Sequence, residues 1–120
     1  MQRKSTRQSP GPNSAEKAYH KWVKESERCI ACLAPVYVPI LHHAEGATFK
    51  HLKTLVGHWF SFGLCQRCDD VVTRQSRRVF REYLGTSQAA VWKESIGRYE
   101  AETGAIVPEN IKHVIEDWGK

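Results

Sequence analysis

The chain contains four cysteines, and they form two CxxC motifs, Cys29–Cys32 and Cys65–Cys68. A CxxC turn brings two thiolates within reach of one tetrahedral zinc ion, and two such turns complete an all-thiolate coordination shell. The 32 residues between the motifs exceed the interval of a compact zinc ribbon, so they must hold structure of their own. We therefore predict a structural zinc site, with two structural disulfides and a redox-active CxxC pair as alternatives.

Two adjacent histidines, His42 and His43, lie between the cysteine motifs. Neighbouring side chains point to opposite sides of a strand, so one imidazole can bind a metal while the other faces a substrate. Phosphodiester hydrolysis needs both roles, because a divalent ion stabilises the charged phosphate and a neutral imidazole deprotonates water. His58 is a candidate for orienting the base, and Asp69 and Asp70 are candidate ligands at the start of the following helix. Exposed histidines and acidic groups that merely favour the helix dipole are the competing explanations. The other histidines are predicted to be surface residues: His20, His51 and His113.

A helix is predicted over residues 14–27, leading to the first cysteine motif. Asn13 and Glu16 have the spacing of a capping box. Its apolar stripe, at helical spacing, is predicted to be Ala15, Ala18, Tyr19 and Trp22.

Two strands are predicted between the cysteine motifs, because residues 36–41 and 59–64 are rich in β-branched and aromatic side chains. A long polar and basic loop, 46–57, would join them into a hairpin. Lys50 and Lys53 in this loop are candidate contacts to backbone phosphate.

A helix predicted over residues 69–84 carries arginines at i, i+3, i+4 and i+7, opposite its apolar side. Guanidinium groups on such a face would bind phosphates without reading base sequence, although a solvated helix face is the alternative. These arginines are Arg74, Arg77, Arg78 and Arg81.

Two further helices are predicted towards the end of the sequence. Ser87 is a suitable N-cap for a helix that ends near Thr103, with Gly104 as its C-terminal residue. Pro108 can begin a short final helix. Their apolar stripes are Ala89, Trp92, Ile96 and Tyr99, and then Ile111, Val114, Ile115 and Trp118.

Composition favours one small α+β domain. The chain has 120 residues and a net charge of +5, which suits a polyanionic partner such as DNA. Residues 1–13 are expected to form a disordered basic arm and residues 14–120 the folded zinc-containing domain. The sequence lacks a long apolar run, and the basic N-terminus lacks the features of a secretory signal, so we expect no membrane span and a cytoplasmic location.

The ordered motifs resemble those of phage-encoded HNH-like (ββα-metal) nucleases of the RecA-dependent, recombination-enhancement type. The similarity covers roughly residues 14–105. Its segments are Cys29-Ile30-Ala31-Cys32, His42-His43-Ala44, Gly57-His58, Leu64-Cys65-Gln66-Arg67-Cys68-Asp69 and Phe80-Arg81-Glu82-Tyr83-Leu84-Gly85.

The resemblance implies a zinc-stapled HNH core with flanking helices and metal-dependent DNA endonuclease activity. In it His43 corresponds to the general base, His42 to a ligand of the catalytic metal and His58 to the third HNH position. Asp69 stands where the family commonly has a metal-binding histidine, and Thr73 stands where a second one would follow. A carboxylate ligand implies Mg²⁺ or Mn²⁺ at the catalytic site, beside a structural Zn²⁺.

The resemblance also implies a phage or prophage origin, the cytoplasm of the host cell, and a RecA filament or another host protein as partner. The Asp69 substitution leaves a second interpretation, a catalytically degenerate HNH scaffold that binds DNA or a host protein as a regulator. A third is a purely structural zinc domain of a larger assembly.

Overall fold

A computed structural model describes residues 11–74, 82 and 87–119. Within them the chain is a small α+β globule with four helices and two antiparallel two-stranded sheets. The elements, in chain order, are α1 (Ser14–Glu25), β1 (Ile40–His43), β2 (Lys50–His51), β3 (Thr54–Leu55), β4 (Ser61–Leu64), α2 (Gln66–Arg74), α3 (Gln88–Thr103) and α4 (Glu109–Trp118).

Helix α1 begins with the predicted capping box. The Asn13 side chain accepts a hydrogen bond from the Glu16 backbone amide at 2.8 Å, and the Glu16 carboxylate accepts one from the Asn13 amide. The predicted apolar stripe is shifted by one residue at several positions, since Ala15 and Ala18 are exposed. The residues that α1 buries are Glu16, Tyr19 and Val23.

The predicted hairpin between the cysteine motifs is confirmed as the antiparallel pair β1–β4, with His42 opposite Phe62 and His43 opposite Ser61. Both strands begin later than predicted. The backbone amide of Val36 donates to the Glu27 carbonyl at 3.0 Å, so the segment before β1 pairs with the residues that follow α1 rather than with β4.

The loop between β1 and β4 contains a second hairpin, β2–β3, which the sequence did not predict. Its two turn residues, Leu52 and Lys53, have φ angles of 52° and 64°. Lys50 lies on β2 and Lys53 at the turn, and both are exposed.

Helix α2 begins at Gln66, three residues earlier than predicted, so Cys68 lies inside it. Its described part ends at Arg74. The predicted continuation to residue 84 lies outside the described residues apart from Glu82, as do residues 1–10 of the predicted basic arm.

Helices α3 and α4 agree with their predicted caps and stripes. Ser87 accepts a hydrogen bond from the Ala90 amide, and Gly104 closes α3 with a φ of 77°. Helix α4 follows Pro108 and buries Ile111, Val114 and Ile115.

Aromatic side chains join α1, β4 and α3 in one core. The buried Tyr19 hydroxyl donates to the Ser61 carbonyl at 2.6 Å and lies 2.7 Å from the Ser95 hydroxyl. The Trp92 indole donates to the Trp59 carbonyl at 2.6 Å. The two bonds therefore fix both flanking helices to the segment that leads into β4. Every helix in the described part of the chain is too short or too polar to cross a membrane.

Candidate metal centres

The four cysteines form one cluster in which all the sulfur atoms lie within 4.8 Å of one another. Cys32 Sγ and Cys65 Sγ, one from each motif, lie 3.8 Å apart. A Zn–S distance of about 2.3 Å in tetrahedral geometry gives an S···S separation of about 3.8 Å, so the cluster has the dimensions of a zinc tetrathiolate site.

Local hydrogen bonds shape the first cysteine motif. The Cys32 amide points at Cys29 Sγ, 3.5 Å away, and the Cys29 amide donates to the Ala34 carbonyl at 2.9 Å. The Ile30 amide donates to the Gly63 carbonyl on β4 at 3.0 Å. The first motif is therefore attached directly to the strand that leads into the second.

The second cysteine motif opens α2. The Asp69 amide donates to the Cys65 carbonyl at 2.9 Å, which is the first turn of that helix. Cys29 and Cys68 are buried, whereas Cys32 and Cys65 are partly exposed, and all four are free thiols. The free thiols and the single cluster fit one metal ion better than two disulfides.

The cysteines differ in how readily they lose a proton. Burial raises the pKa of Cys29. Burial also acts to raise the pKa of Cys32, but hydrogen bonds from the Ala34 backbone and the neighbouring thiols outweigh it and lower this pKa to about 7. A metal would displace the remaining protons, because thiolates are the binding form. The cluster is consistent with a structural Zn²⁺ site.

His42 faces helix α2. Its Nδ1 lies 3.3 Å from Asp69 Oδ1, and its ring packs against Phe62. The structure thus brings together the two predicted ligands of the catalytic metal. His42 Nε2 is buried and has no hydrogen-bond partner within the described residues. An imidazole nitrogen and a carboxylate at this distance can hold a divalent ion whose other ligands are waters. Alternatively, Asp69 can orient the His42 ring so that Nε2 binds the ion.

His43 faces the opposite side of β1, towards α1. Its ring centroid lies 5.6 Å from that of His58 and 5.6 Å from that of His20. Nitrogen atoms of the three rings lie within 4.8 Å of one another. The predicted base and the predicted orienting residue therefore meet, together with His20, which had been predicted to be a surface residue.

Two backbone features place His58 and His20 in this cluster. A Cβ atom at Gly57 would clash with the Ala47 carbonyl oxygen, so glycine is required immediately before His58. His20 Nε2 donates to the His58 carbonyl oxygen at 2.6 Å. That hydrogen bond connects helix α1 to the segment between β3 and β4.

Burial favours the neutral form of His20, His42 and His43 near pH 7. Desolvation, followed by the neighbouring His20 and His58 rings, lowers the pKa of His43 to about 4. Desolvation also lowers the pKa of His20 and of His42, and Asp69 partly opposes the effect on His42. A neutral imidazole can accept a proton or bind a metal, so the protonation state suits both roles.

The predicted phosphate-binding residues are only partly described. Lys50 and Lys53 are exposed on the β2–β3 hairpin, and Arg74 is the last residue of α2. Arg77, Arg78 and Arg81 lie outside the described residues, so the arginine face stays a prediction. His51, also predicted to be exposed, lies 2.9 Å from Asp117 and joins the small hairpin to α4.

No protein family, curated protein or solved structure matches this chain. The arrangement of its own residues therefore carries the functional argument.

Proposed function

We propose that the chain is a metal-dependent DNA endonuclease of the HNH type, with its active site at the end of the β1–β4 hairpin beside α2. One observation carries the proposal. His42 on β1 and Asp69 on α2, adjacent to the second cysteine motif, lie 3.3 Å apart, while His43 lies beside His58 on the other side of the strand. This arrangement supports the proposal, because the metal ligands and the general base would come from one hairpin and one helix.

His42 and Asp69 would hold the catalytic ion, for which a carboxylate favours Mg²⁺ or Mn²⁺. Such an ion stabilises the charge that develops on the phosphate and on the leaving oxygen. Two protein ligands are enough, because Mg²⁺ usually keeps several waters. The cysteine-bound zinc would be a separate, structural ion.

His43 would act as the general base. It takes a proton from water, the water oxygen bonds to phosphorus, one P–O ester bond breaks, and the leaving oxygen gains a proton. The low pKa of His43 keeps its imidazole neutral, and it also makes the imidazole a weaker proton acceptor than one with a pKa near 7. His58 would position the His43 ring.

The basic residues would position DNA through its phosphates. Lys50 and Lys53 are exposed on the small hairpin, and a net charge of +5 favours a polyanion. We include the arginine face, Arg74, Arg77, Arg78 and Arg81, on sequence grounds. A phage or prophage origin, the host cytoplasm and a RecA filament or another host protein as partner rest on the resemblance alone.

Two neighbouring aspartates allow a matched test of the catalytic metal. Asp69 lies against His42, whereas Asp70 Oδ1 accepts a hydrogen bond from the Gln66 side chain at 3.0 Å. We expect Asp69→Asn to slow Mg²⁺-dependent cleavage of supercoiled DNA by at least about 10–100-fold, and Asp70→Asn, which removes the same charge, to leave it near the parent rate. Equal effects of the two substitutions would contradict the assignment of Asp69.

A second candidate function is a non-catalytic zinc module that binds DNA or a host protein. The observation that favours it is the burial of His43 Nε2, which has no hydrogen-bond partner within the described residues and little access to water. This candidate requires no cleavage with Mg²⁺ or Mn²⁺, and binding that is indifferent to His43→Ala. In either case, neutralising the four arginines should weaken DNA binding alike for unrelated sequences and reduce its salt dependence.

A further inference from the structure

We propose that His20, His43 and His58 form a second metal site, which takes a divalent transition ion of the zinc type. The three side chains come from α1, from β1 and from the segment before β4, so the site would join three elements. It shares no residue with the four-cysteine cluster and contains neither His42 nor Asp69.

The spacing of the rings supports the site. Their centroids are 5.6, 5.6 and 6.1 Å apart, which is almost an equilateral triangle. Three imidazoles that bind zinc through nitrogen at 2.0–2.1 Å in tetrahedral geometry would hold their centroids roughly 5 Å apart. A contraction of about half an ångström to one ångström would therefore convert the observed triangle into a coordination site.

The polar environment of His43 also points to an ion. Its buried Nε2 has no hydrogen-bond partner among the described residues. The imidazoles of His20 and His58 nevertheless lie close to the His43 ring. A buried polar atom without a partner is uncommon in native proteins, and a bound ion is one explanation. The hydrogen bond from His20 Nε2 to the His58 carbonyl holds the His20 ring in place before any ion binds.

The ligand set selects the class of ion. Neutral imidazoles suit zinc, copper, nickel and iron better than Mg²⁺, which prefers oxygen. No cysteine or carboxylate joins the three histidines among the described residues, so the fourth position would be open to water. Such an open site differs from the closed four-thiolate site.

Occupation of this site would have a consequence for cleavage that rests on the proposed function. The lone pair of one imidazole nitrogen of His43 cannot bind an ion and accept a proton at once. Added zinc would therefore inhibit Mg²⁺-dependent cleavage, and His20→Gln would relieve that inhibition. Direct metal binding tests the site without DNA, so failure of the nuclease proposal would not affect it.

The experiment starts from protein with its cysteine site loaded with zinc, dialysed free of excess metal and titrated with Co²⁺. Because the His42–Asp69 pair would also take Co²⁺, the titration uses Asp69→Asn protein. We expect it to bind one further Co²⁺ per chain, with visible absorption typical of nitrogen and oxygen ligands and without new thiolate charge-transfer bands. His20→Gln, which keeps a donor for the His58 carbonyl, should weaken this binding by at least about 10–100-fold. His20→Ala, a second variant that lacks this imidazole, should weaken binding in the same way. Circular dichroism and a count of the cysteine-bound zinc would verify that each variant is folded.

Two controls locate the ion. His113→Ala removes an exposed histidine on α4 and should leave binding of the added Co²⁺ unchanged. The ion at the histidine cluster should be bound whether residue 69 is aspartate or asparagine, because His42 and Asp69 lie on the other side of β1. The proposal would be overturned if no further Co²⁺ binds, if folded His20→Gln binds it as tightly as the parent, or if Asp69→Asn abolishes it.

Discussion

The four-cysteine cluster and the three-histidine cluster are assembled in different ways. Each cysteine pair comes from one CxxC turn whose geometry is fixed by bonds between close neighbours, such as the Cys32 amide to Cys29 Sγ. Only one further step is needed, the attachment of the first turn to β4 through the Ile30 amide. A zinc ion bound there would close the hairpin between the two turns.

The histidine cluster depends on packing instead. His20 and His58 are 38 residues apart in sequence and meet because α1 packs on the β1–β4 hairpin. The contrast teaches that a site built from local turns can be recognised in a sequence and can stabilise a small fold. A site built from three packed elements exists only once that fold has formed.

Removal of the cysteine-bound zinc should have the largest effect. Apparent zinc-binding free energies in small domains are about 10–16 kcal/mol, whereas whole domains are stable by about 5–15 kcal/mol. We therefore expect a strong chelator, or Cys29→Ser, to abolish the cooperative thermal transition seen by circular dichroism. His20→Ala should retain that transition. A chelated protein that melts unchanged would contradict the structural role of the cysteines.

Weakening the packing of α1 should affect metal binding by the histidine cluster but not by the cysteine cluster. Tyr19→Phe leaves the buried Ser61 carbonyl and Ser95 hydroxyl without their partner, so we expect a loss of about 1–3 kcal/mol in the free energy of unfolding. Affinity for the second metal should fall, because the neighbouring His20 is carried by the same helix, while cysteine-bound zinc is retained.

Tyr37 provides the control for this substitution, since 89% of its surface is exposed. Tyr37→Phe should alter neither denaturant stability nor metal affinity. A Tyr19→Phe protein that released the cysteine-bound zinc would show that the two clusters are not independent.

The smallest expected effect comes from the helix cap. Asn13→Ala removes the acceptor for the Glu16 amide and should lower the free energy of unfolding by about 1 kcal/mol. Asn13→Ser, which can still cap the helix, should remain close to the parent in a denaturant titration. If the alanine variant is as stable as the serine variant, α1 is held by its packing alone.

The sequence predicted those parts of the fold that follow from local patterns. The capping residues Asn13 and Ser87 and the termination of α3 at Gly104 were predicted because only a few residue types favour such positions. The β2–β3 hairpin was missed because Leu52 and Lys53 occupy its positive-φ turn, where glycine or asparagine would be the recognisable signal. The late start of β1 depends on the pairing of Val36 with Glu27, which no local pattern reveals.

The candidate sites likewise divide into those that local patterns predict and those that depend on packing. The cysteine cluster and the proximity of His42 to Asp69 followed from motif order, whereas His20 was missed because the apolar stripe of α1 was placed one residue away at several positions. Glu16, Tyr19, His20 and Val23 follow the helical spacing i, i+3, i+4 and i+7. That stripe was the signal that could have placed His20 against the hairpin, and the burial of Glu16 and Val23 distinguishes it from the predicted stripe.

The central claim is that the cysteines maintain the fold while the histidines of the hairpin carry the chemistry. Single-turnover cleavage of supercoiled DNA with Mg²⁺ or Mn²⁺, measured for the parent and for His43→Ala on samples whose cysteine-bound zinc has been counted, tests it most directly. We expect the parent to cleave and His43→Ala to be slower by about 10²–10⁴-fold, with the zinc count and circular dichroism unchanged. A parent protein that does not cleave with either ion, or a His43→Ala protein that cleaves at the parent rate, would contradict the claim.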